Sequence, residues 1–400
     1  MRSEIALLTG GGDRPYALGM ASSLIAQGIS FDFIASDELE SPELRANPLV
    51  RFLNLRGDGR ADAPLATKVV RIVRYYWRLV RYAATADPRI FHILWNNKLE
   101  YVDRTLLLAY YRLLGKRLVH TVHNVNIRKR DGNDGLLNRL TLKAQYRLVN
   151  YLFVHTAQMK RELECDFGVP SRKISVIPFG INSTVPDTAL TSVQARKRLG
   201  LEESHRVILF FGNVAPYKGL EYLVEAMGLG GDSLQDCRLL IAGRLKCPAS
   251  YWAAVQTRIA DLGLAARIIQ RVEFVPDEET EVYFKAADVL ALPYTYVFQS
   301  GVLFLGYNFG LPVIATDVGS LKEEIVEGTT GFVCPPRNPA ALSEAICGYF
   351  ASELYKTLPI RRPELRQFAR ERYSWATVGA MTKQVYRSLG SEVGGEQEPA

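Results

Sequence analysis

The chain has 400 residues, 48% of them hydrophobic and 23% charged, which is typical of a soluble globular protein with two or more domains. Its net charge of +7 is uneven, because residues 1–185 carry 27 Lys and Arg against 17 Asp and Glu (+10) while the remainder carries 22 against 25 (−3), so the first part suits an anionic partner. Five scattered cysteines without a C-x-x-C pair argue against a disulfide framework or a zinc site and favour a reducing, cytoplasmic compartment.

The first part of the chain alternates short apolar strands with helical spacing. It begins directly with a strand at 4–9, so we expect no secretion signal. Further strands are predicted at 31–36, 89–95, 117–123, 151–156 and 173–180. Because helices separate these strands, the pattern predicts a parallel sheet with right-handed crossovers and hence a Rossmann-like domain.

The same alternation starts again after a polar, non-periodic connection at 181–205. Strands are predicted at 206–214, 237–244, 271–276, 288–294 and 312–317. This pattern predicts a second doubly wound α/β domain. Ligands of such sheets bind at the C-terminal ends of the strands, so we expect two facing domains to hold a ligand in the cleft between them.

Residues 289–316 contain no charged side chain. These 28 residues exceed the ~20 that cross a bilayer, but two prolines, three glycines, Gln299 and Asn308 interrupt them. A strand, loop, helix and strand buried on both faces explain the composition better, since buried parallel strands form continuous apolar runs. We therefore expect a core element rather than a membrane span.

Two glycine-bearing turns between a strand and a helix are candidate anion sites. Gly11 and Gly12 follow the first strand, where small residues let a ligand approach the amides at the next helix start, although a tight turn alone explains them equally well. In the second turn, Gly212 and Asn213 end a strand and Lys218 precedes a helix. A lysine there opposes the helix dipole unless a phosphate lies between them; the alternative is a solvated surface lysine.

A third candidate turn lies inside the charge-free stretch. Ser300 precedes a predicted helix and is a suitable N-cap. The amides of Gly301, Val302 and Leu303 would then face outward at the helix start and form an anion pocket.

Longer segments of the sequence resemble a known family. Four of them resemble the C-terminal domain of glycosyltransferase family 4: GNVAPYKGLEYLVEAM, LLIAGR, VEFVPDEETEVYFKAADVLALP and GLPVIATDVGSLKEEIVEGTTGFVCPPRNPAALSEAI. Upstream, KISVIPFGIN resembles the family's linker strand and VHTVHNV its strand that ends in a histidine. The terminal YSWATVGAMTKQVY resembles the closing helix that returns to the N-terminal domain.

The resemblance implies an α/β protein of the GT-B fold, with two Rossmann-like domains that face a central cleft. Residues 1–185, with a crossing helix at 373–390, would bind the acceptor, and residues 186–372 would bind a nucleotide-sugar. The family transfers a sugar from a nucleotide-sugar, here UDP- or GDP-linked, without a metal or other cofactor and with retention at the anomeric carbon. The sequence contains no D-x-D motif that would contradict the absence of a metal.

The sequence departs from the family at its charged positions. Lys218 matches the lysine that holds the donor diphosphate, but Asn213 stands in place of the arginine. Alignment on the G-L-P segment at 310–312 places the two glutamates of the E-x7-E motif at Val297 and Leu305. A buried hydrogen bond to a charged group contributes about 1.5–3 kcal/mol, so ribose binding should weaken or be supplied otherwise.

Nearby polar residues are candidate replacements for the missing groups. Gln299 could substitute for the first glutamate at the donor sugar, and Arg244 could supply the positive charge missing at Asn213. By resemblance, His123 would touch and orient the donor sugar, whereas His120 and His155 are expected to be structural. Glu324 follows the strand 312–317 where the family often keeps an acid, and we include it among the donor-binding candidates.

The segment 68–82 carries five basic residues at helical spacing: Lys68, Arg71, Arg74, Arg78 and Arg81. A basic stripe on an apolar, aromatic body suits an interfacial helix on an anionic membrane. The alternative is a helix that packs on the sheet with its basic face in water. The tripeptide 128–130 is also basic, but no nucleic-acid recognition motif is present, so we expect no nucleic-acid partner.

Three functions remain open from the sequence. The leading one is a glycosyltransferase that adds a sugar to a lipid-linked glycan or an oligosaccharide, at the inner face of the membrane, in exopolysaccharide or other cell-surface polysaccharide synthesis. The second is a non-catalytic GT-B subunit of a glycan-synthesis complex, which would explain the missing carboxylates. An epimerase or phosphorylase on the same fold has no supporting motif.

Overall fold

A computed structural model describes residues 3–57, 64–130, 133–181 and 185–391. The chain divides into two compact units, which we call unit 1 (Met1–Gly180 and Ser374–Ala400) and unit 2 (Ile181–Tyr373). The first boundary therefore lies at Gly180, a few residues before the predicted 185, and the C-terminal segment joins unit 1 from Ser374.

Unit 1 contains a seven-stranded sheet that is parallel throughout, with the order β3-β2-β1-β4-β5-β6-β7. Its strands are β1 (Ile5–Leu8), β2 (Phe31–Ala35), β3 (Val50–Asn54), β4 (Ile90–Ile93), β5 (Arg117–Thr121), β6 (Tyr151–Val154) and β7 (Ile174–Val176). Its N-terminal helices are α1 (Arg14–Ala26), α2 (Pro42–Ala46), α3 (Leu65–Thr85), α4 (Glu100–Val102), α5 (Leu108–Leu113), α6 (Ile127–Arg130), α7 (Leu136–Leu148) and α8 (Ala157–Phe167). A π-helical turn, Asp103–Leu107, joins α4 to α5.

Unit 2 contains a six-stranded parallel sheet with the order β10-β9-β8-β11-β12-β13. Its strands are β8 (Arg206–Phe211), β9 (Cys237–Ala242), β10 (Ile268–Arg271), β11 (Val289–Leu292), β12 (Val313–Thr316) and β13 (Gly331–Cys334). Its helices are α9 (Ser192–Leu199), α10 (Leu220–Leu229), α11 (Ala249–Asp261), α12 (Asp277–Ala286), α13 (Gly301–Asn308), α14 (Pro339–Ala351), α15 (Glu353–Lys356) and α16 (Leu358–Arg372).

The last helix, α17 (Trp375–Ser391), packs against α1 and so completes unit 1. Trp375 fixes this packing, because a Cβ added to Gly19 or to Gly180 would lie 2.1 Å from its indole ring. The two glycines therefore create the space that the indole occupies. The predicted helix 373–390 is present, and its side chains Val378, Val385 and Leu389 join the apolar core of unit 1.

The charge-free stretch is a core element, as predicted. It forms β11, α13 and β12, and every residue of both strands is buried. Among the described residues, none of the helices combines the length and the apolar character that crossing a membrane requires.

Two parts of the predicted strand pattern differ from the structure. The strand predicted at 271–276 is wrong, because β10 ends at Arg271 and Phe274 is 66% exposed in the loop that follows. Two edge strands, β3 and β13, were not predicted. Arg51 interrupts the apolar residues of β3, and β13 has only four residues, of which the two central ones are half-buried, so neither resembles a fully buried central strand.

Candidate functional site

The strand order of unit 2 reverses direction between β8 and β11, since β9 and β10 lie on one side of this pair and β12 and β13 on the other. Open parallel sheets bind ligands at the carboxyl ends of strands at such a switch point. The residues that follow these two strands, Gly212 after β8 and Tyr294 after β11, are therefore at the position where a ligand is expected.

Lys218 brings a buried ammonium group to this switch point. The residue is 6% exposed, and its Nζ lies 5.1 Å from the ring centroid of Tyr294 and 3.5 Å from the carbonyl oxygen of Phe211. A Cβ on Gly212 would lie 3.0 Å from this Nζ and 3.6 Å from Val302, so the glycine leaves space beside the ammonium that a side chain would fill. Within the described ranges Lys218 has no ion-pair partner, which makes it a suitable group for an anionic ligand.

Arg244 and Asn213 meet at the same end of the sheet. The guanidinium Nε donates to Oδ1 of Asn213 at 3.2 Å, and the guanidinium lies 5.7 Å from the ring centroid of Phe274. The backbones of the two loops also pair, because the amide of Val214 donates to the carbonyl of Arg244 at 2.9 Å. The structure thus brings a positive charge to Asn213, and the predicted role of Arg244 in donor binding stays a prediction.

The N-terminus of α13 differs in part from the prediction. Ser300 occupies the N-cap position with an extended backbone, but its side chain does not cap the helix. Its hydroxyl lies 3.3 Å from that of Tyr294, and the amide of Leu303 donates to the Ser300 carbonyl at 3.1 Å. The amides of Gly301 and Val302 remain at the first turn, so the predicted anion pocket is reduced from three amides to two.

Two buried polar atoms near α13 have no partner among the described residues. They are Oε1 of Gln299 and Oγ of Ser320. The backbone connects their segments, because the amide of Ser320 donates to the carbonyl of Phe298 at 3.0 Å. Leaving a buried polar atom unsatisfied costs about 1–3 kcal/mol, so these atoms suit a ligand that carries hydroxyl groups. Ser320 was missed from sequence because a lone serine beside a glycine forms no recognisable motif.

Glu324 already has partners within unit 2. Its carboxylate accepts a short hydrogen bond from the hydroxyl of Tyr373, and Nε of Arg372 lies 3.7 Å away. Burial raises the pKa of this carboxyl group above its usual range. These contacts give Glu324 a structural role, and its predicted contact with a donor stays a prediction.

In unit 1, His123 belongs to an aromatic cluster at the carboxyl end of β5. Its ring stacks on Trp95 with centroids 4.1 Å apart and meets Tyr16 edge-on at 4.6 Å. Its Nε2 is buried without a partner among the described residues. Burial, assisted by the neighbouring imidazole of His155, holds the pKa of His123 well below its usual value, so the ring is neutral near pH 7.

The anion site predicted at Gly11 and Gly12 is not formed by the helix amides. The amide of Gly12 donates to the carbonyl of Thr9 at 3.2 Å, and the carboxylate of Asp13 caps α1 by accepting from the amide of Tyr16 at 3.1 Å. A carboxylate therefore already occupies the helix N-terminus. Gly12 instead allows the Trp95 ring to pack closely against the turn, because a Cβ on Gly12 would lie 2.0 Å from that ring.

Comparison with known proteins agrees with this architecture. Residues 10–185 match the family described as Glycosyltransferase Family 4, and residues 205–352 match Glycosyl transferases group 1. The chain is a glycosyltransferase of the family 4 type. It is 23% identical over 393 residues to D-inositol 3-phosphate glycosyltransferase of Corynebacterium efficiens, an alignment that covers 94% of this chain and 90% of the relative.

Solved structures share the GT-B fold of this glycosyltransferase. Sucrose-phosphate synthase of Thermosynechococcus elongatus superposes with a TM-score of 0.76 at 20% identity, over 98% of this chain and 100% of that one. HepE of Anabaena in complex with UDP-glucose superposes with a TM-score of 0.70 at 17% identity, over 97% and 99% of the two chains. At these identities the superpositions establish the fold alone.

The glycosyltransferase keeps two of its histidines as structural groups. Nδ1 of His120 lies 2.9 Å from the carbonyl oxygen of Ile93, and Nδ1 of His155 lies 3.3 Å from that of Ile177. Both side chains are buried, and burial lowers the pKa of each to about 4. These contacts agree with the structural role that the sequence suggested for them.

The helix α3 exposes apolar as well as basic side chains. Tyr75, Leu79 and Ala83 form its buried face. On the outer surface, Arg74, Arg78 and Arg81 are exposed, and so are six apolar residues: Leu65, Val69, Val70, Val73, Trp77 and Val80. At 100° per residue, the exposed apolar side chains from Val69 to Val80 lie along one side of the buried face and the three arginines lie along the other. The helix thus packs with its arginines in water, as the alternative requires, and it also exposes apolar side chains that suit an interface, so the membrane contact stays a prediction.

Proposed function

We propose that this glycosyltransferase moves a sugar from a UDP- or GDP-linked donor to a lipid-linked glycan or oligosaccharide, in the synthesis of exopolysaccharide or another cell-surface polysaccharide. The observation that carries the proposal is the buried ammonium of Lys218 at the switch point of unit 2, without a counter-ion among the described residues. A nucleoside diphosphate supplies the missing negative charge.

Catalysis in this proposal rests on stabilising the departing diphosphate. Lys218, the first-turn amides of Gly301 and Val302, and Arg244 beside Asn213 are fixed positive groups on unit 2. Such groups lower the barrier because negative charge develops on the leaving group in the transition state. Their charge replaces that of a metal ion, so we propose a metal-independent reaction.

The proposed donor contacts use neutral groups in place of the family's carboxylates. Val297 and Leu305 cannot hydrogen-bond a sugar through their side chains, whereas Gln299 presents an unsatisfied carbonyl oxygen next to α13. His123 carries an unsatisfied ring nitrogen in unit 1, and as a neutral ring it would orient the donor sugar without adding charge. A retaining outcome remains part of the proposal through family resemblance.

The surface of α3 supports a membrane-linked acceptor. An exposed apolar face with a basic flank matches a helix that lies in the interface of an anionic membrane. We therefore propose peripheral association of unit 1 with the inner face of the membrane. A UDP-glucose complex is recorded for the neighbour HepE, and on this basis a UDP-sugar is our first choice of donor.

The first test is calorimetric titration of the purified protein with UDP and GDP, beside Lys218→Ala. We expect micromolar binding of one nucleotide and a loss of at least tenfold in the variant, because the variant removes a charge-assisted contact to phosphate. Lys197→Ala, which changes an exposed lysine of α9, should bind as the unmodified protein does. Release of the nucleotide from the corresponding nucleotide-sugar then tests catalysis.

One observation favours a second candidate, a non-catalytic GT-B subunit of a glycan-synthesis complex. Leu305 is 7% exposed and apolar at a position where the family places a glutamate. If a folded protein binds neither UDP nor GDP, the enzyme proposal is contradicted and the second candidate is favoured.

A further inference from the structure

Arg56 is a cation without a described partner at the carboxyl end of the unit 1 sheet. It follows β3, and its Nη1 is buried with no hydrogen-bond acceptor among the described residues. Within the same ranges no carboxylate pairs with the guanidinium, which lies only over the ring of Tyr75, 5.9 Å from the centroid. The residue as a whole is half-buried, and a guanidinium nitrogen that is buried without an acceptor suits an anionic ligand.

The backbone holds Arg56 in a defined position. Its amide donates to the carbonyl of Ala35 at 3.3 Å, which extends the pairing of β2 with β3. The next amide, of Gly57, donates to Oδ1 of Asn54 at 2.8 Å, and the carbonyl of Gly57 accepts from the amide of Asp37 at 3.3 Å. Hydrogen bonds on both sides of Arg56 therefore hold the backbone of this loop, and they fix the point from which the arginine side chain extends.

Gly11 allows the guanidinium to lie against the turn between β1 and α1. A Cβ on Gly11, whose φ is +73°, would lie 1.4 Å from Nη1 of Arg56. On the next residue of this turn, Gly12, a Cβ would meet the Trp95 ring, on which His123 stacks. Two buried nitrogen atoms without partners, Nη1 of Arg56 and Nε2 of His123, thus lie on residues that surround one glycine turn.

We propose that Arg56 binds an anionic group of the acceptor, a phosphate monoester or diphosphate. A guanidinium presents a planar set of donors that matches the oxygens of phosphate, and Arg56 has no carboxylate that would compete for them. The assignment to the acceptor rests on the proposed function, in which Lys218 and α13 of unit 2 hold the donor diphosphate. The phosphate belongs either to a soluble sugar phosphate or to a polyprenyl lipid.

Calorimetric titration of the full chain tests the proposal with two phosphate probes, inositol 3-phosphate and farnesyl phosphate. Their uncharged parents, inositol and farnesol, are the matched ligands. We expect at least one phosphate probe to bind at least tenfold more tightly than its parent, and Arg56→Gln to remove this difference. Which probe binds identifies the source of the phosphate.

Matched variants separate binding from folding and from the donor site. Arg147→Gln removes an exposed charge of α7 and should leave phosphate binding unchanged, whereas Arg56→Lys keeps the charge without the planar donors and should retain part of it. Gly11→Ala should weaken binding of the phosphate probe, because the added methyl group displaces the guanidinium. Circular dichroism checks that this variant folds. The proposal is overturned if neither probe binds the unmodified protein, or if Arg56→Gln binds both as tightly. UDP binding by Arg56→Gln reports separately on the proposed function and should be unchanged.

Discussion

Gln299 shows how one residue can replace a charged group with a neutral one. Its Oε1 is buried and accepts no hydrogen bond from the described residues, so a ligand hydroxyl is the natural donor to it. Because Gln299 is the proposed replacement for the family's glutamate that faces the donor sugar, we expect it to contact the sugar of the donor and not the diphosphate. Substitution of Gln299 should therefore affect nucleotide-sugar binding alone, whereas substitution of Lys218 should affect nucleotide binding as well.

We predict that Gln299→Ala weakens nucleotide-sugar binding and leaves UDP binding unchanged. The loss should be roughly 3- to 10-fold, since a neutral hydrogen bond contributes about 0.5–1.5 kcal/mol. Parallel calorimetric titrations with UDP and UDP-glucose measure both affinities. Gln256→Ala, which breaks a pair with Gln270 elsewhere in unit 2, is the control. Equal affinity of Gln299→Ala and the unmodified protein for UDP-glucose would contradict the role.

The structure brings together several of the site residues that the sequence singled out, and their roles in donor binding stay predictions. Lys218, Gly212 and Val302 come together in the structure, and Arg244 meets Asn213. Arg56 was not predicted, because an arginine after an unrecognised edge strand has no motif around it. Its partner-free state depends on tertiary contacts that a sequence does not show.

At the scale of elements, the surface of α3 departs from that of an ordinary amphipathic helix. It buries a narrow face and exposes both arginines and apolar side chains, including Trp77 at 59% exposure. The periodicity of the sequence predicted the basic stripe, but it could not decide which apolar residues pack inward. Which apolar residues of α3 are buried depends on how much of the helix surface the rest of unit 1 covers.

We predict that the triple variant Arg74→Gln, Arg78→Gln and Arg81→Gln loses binding to anionic vesicles. Each arginine near an anionic surface contributes about 1 kcal/mol, so the loss should be roughly 100-fold at low salt. Sedimentation with phosphatidylcholine vesicles, with and without phosphatidylglycerol, measures it.

The apolar face of α3 needs its own variant. Trp77→Ala should weaken binding to both vesicle types, because it removes inserted apolar area and leaves the charge unchanged. Lys197→Gln with Arg198→Gln, on the exposed surface of unit 2, is the control for charge. If the triple variant and Trp77→Ala both sediment as the unmodified protein does, α3 is a solvated helix and membrane docking through it is excluded.

At the scale of the whole molecule, both units are doubly wound parallel sheets, but they differ in how many histidines they contain. The sequence predicted two doubly wound sheets because apolar runs alternate with helices in both halves. It did not predict the boundary at Gly180, since the polar stretch from 181 onward contributes residues such as Ile181 to unit 2. Four of the five histidines, His92, His120, His123 and His155, belong to unit 1, and His205 belongs to unit 2.

This distribution predicts that acid destabilises unit 1 before unit 2. Burial lowers the pKa of His92 to about 3 and those of His120 and His155 to about 4, below the value of 6.5 in an unfolded chain. The unfolded state therefore binds more protons, and stability falls as the pH drops from about 6.5 towards 4. Each histidine should remove about 2 kcal/mol from the free energy of unfolding between pH 8 and pH 5.

Hydrogen exchange of the full chain at pH 8 and pH 5, corrected for the intrinsic exchange rate, resolves the two units by their peptides. We expect protection to fall in β4, β5 and β6 of unit 1 and to persist in β8 and β11 of unit 2. His155→Gln should reduce the pH dependence of unit 1, because it removes one of the groups that take up a proton on unfolding. The linkage argument fails if both units lose protection equally, because the buried imidazoles lie in unit 1 alone among the residues that the structure describes.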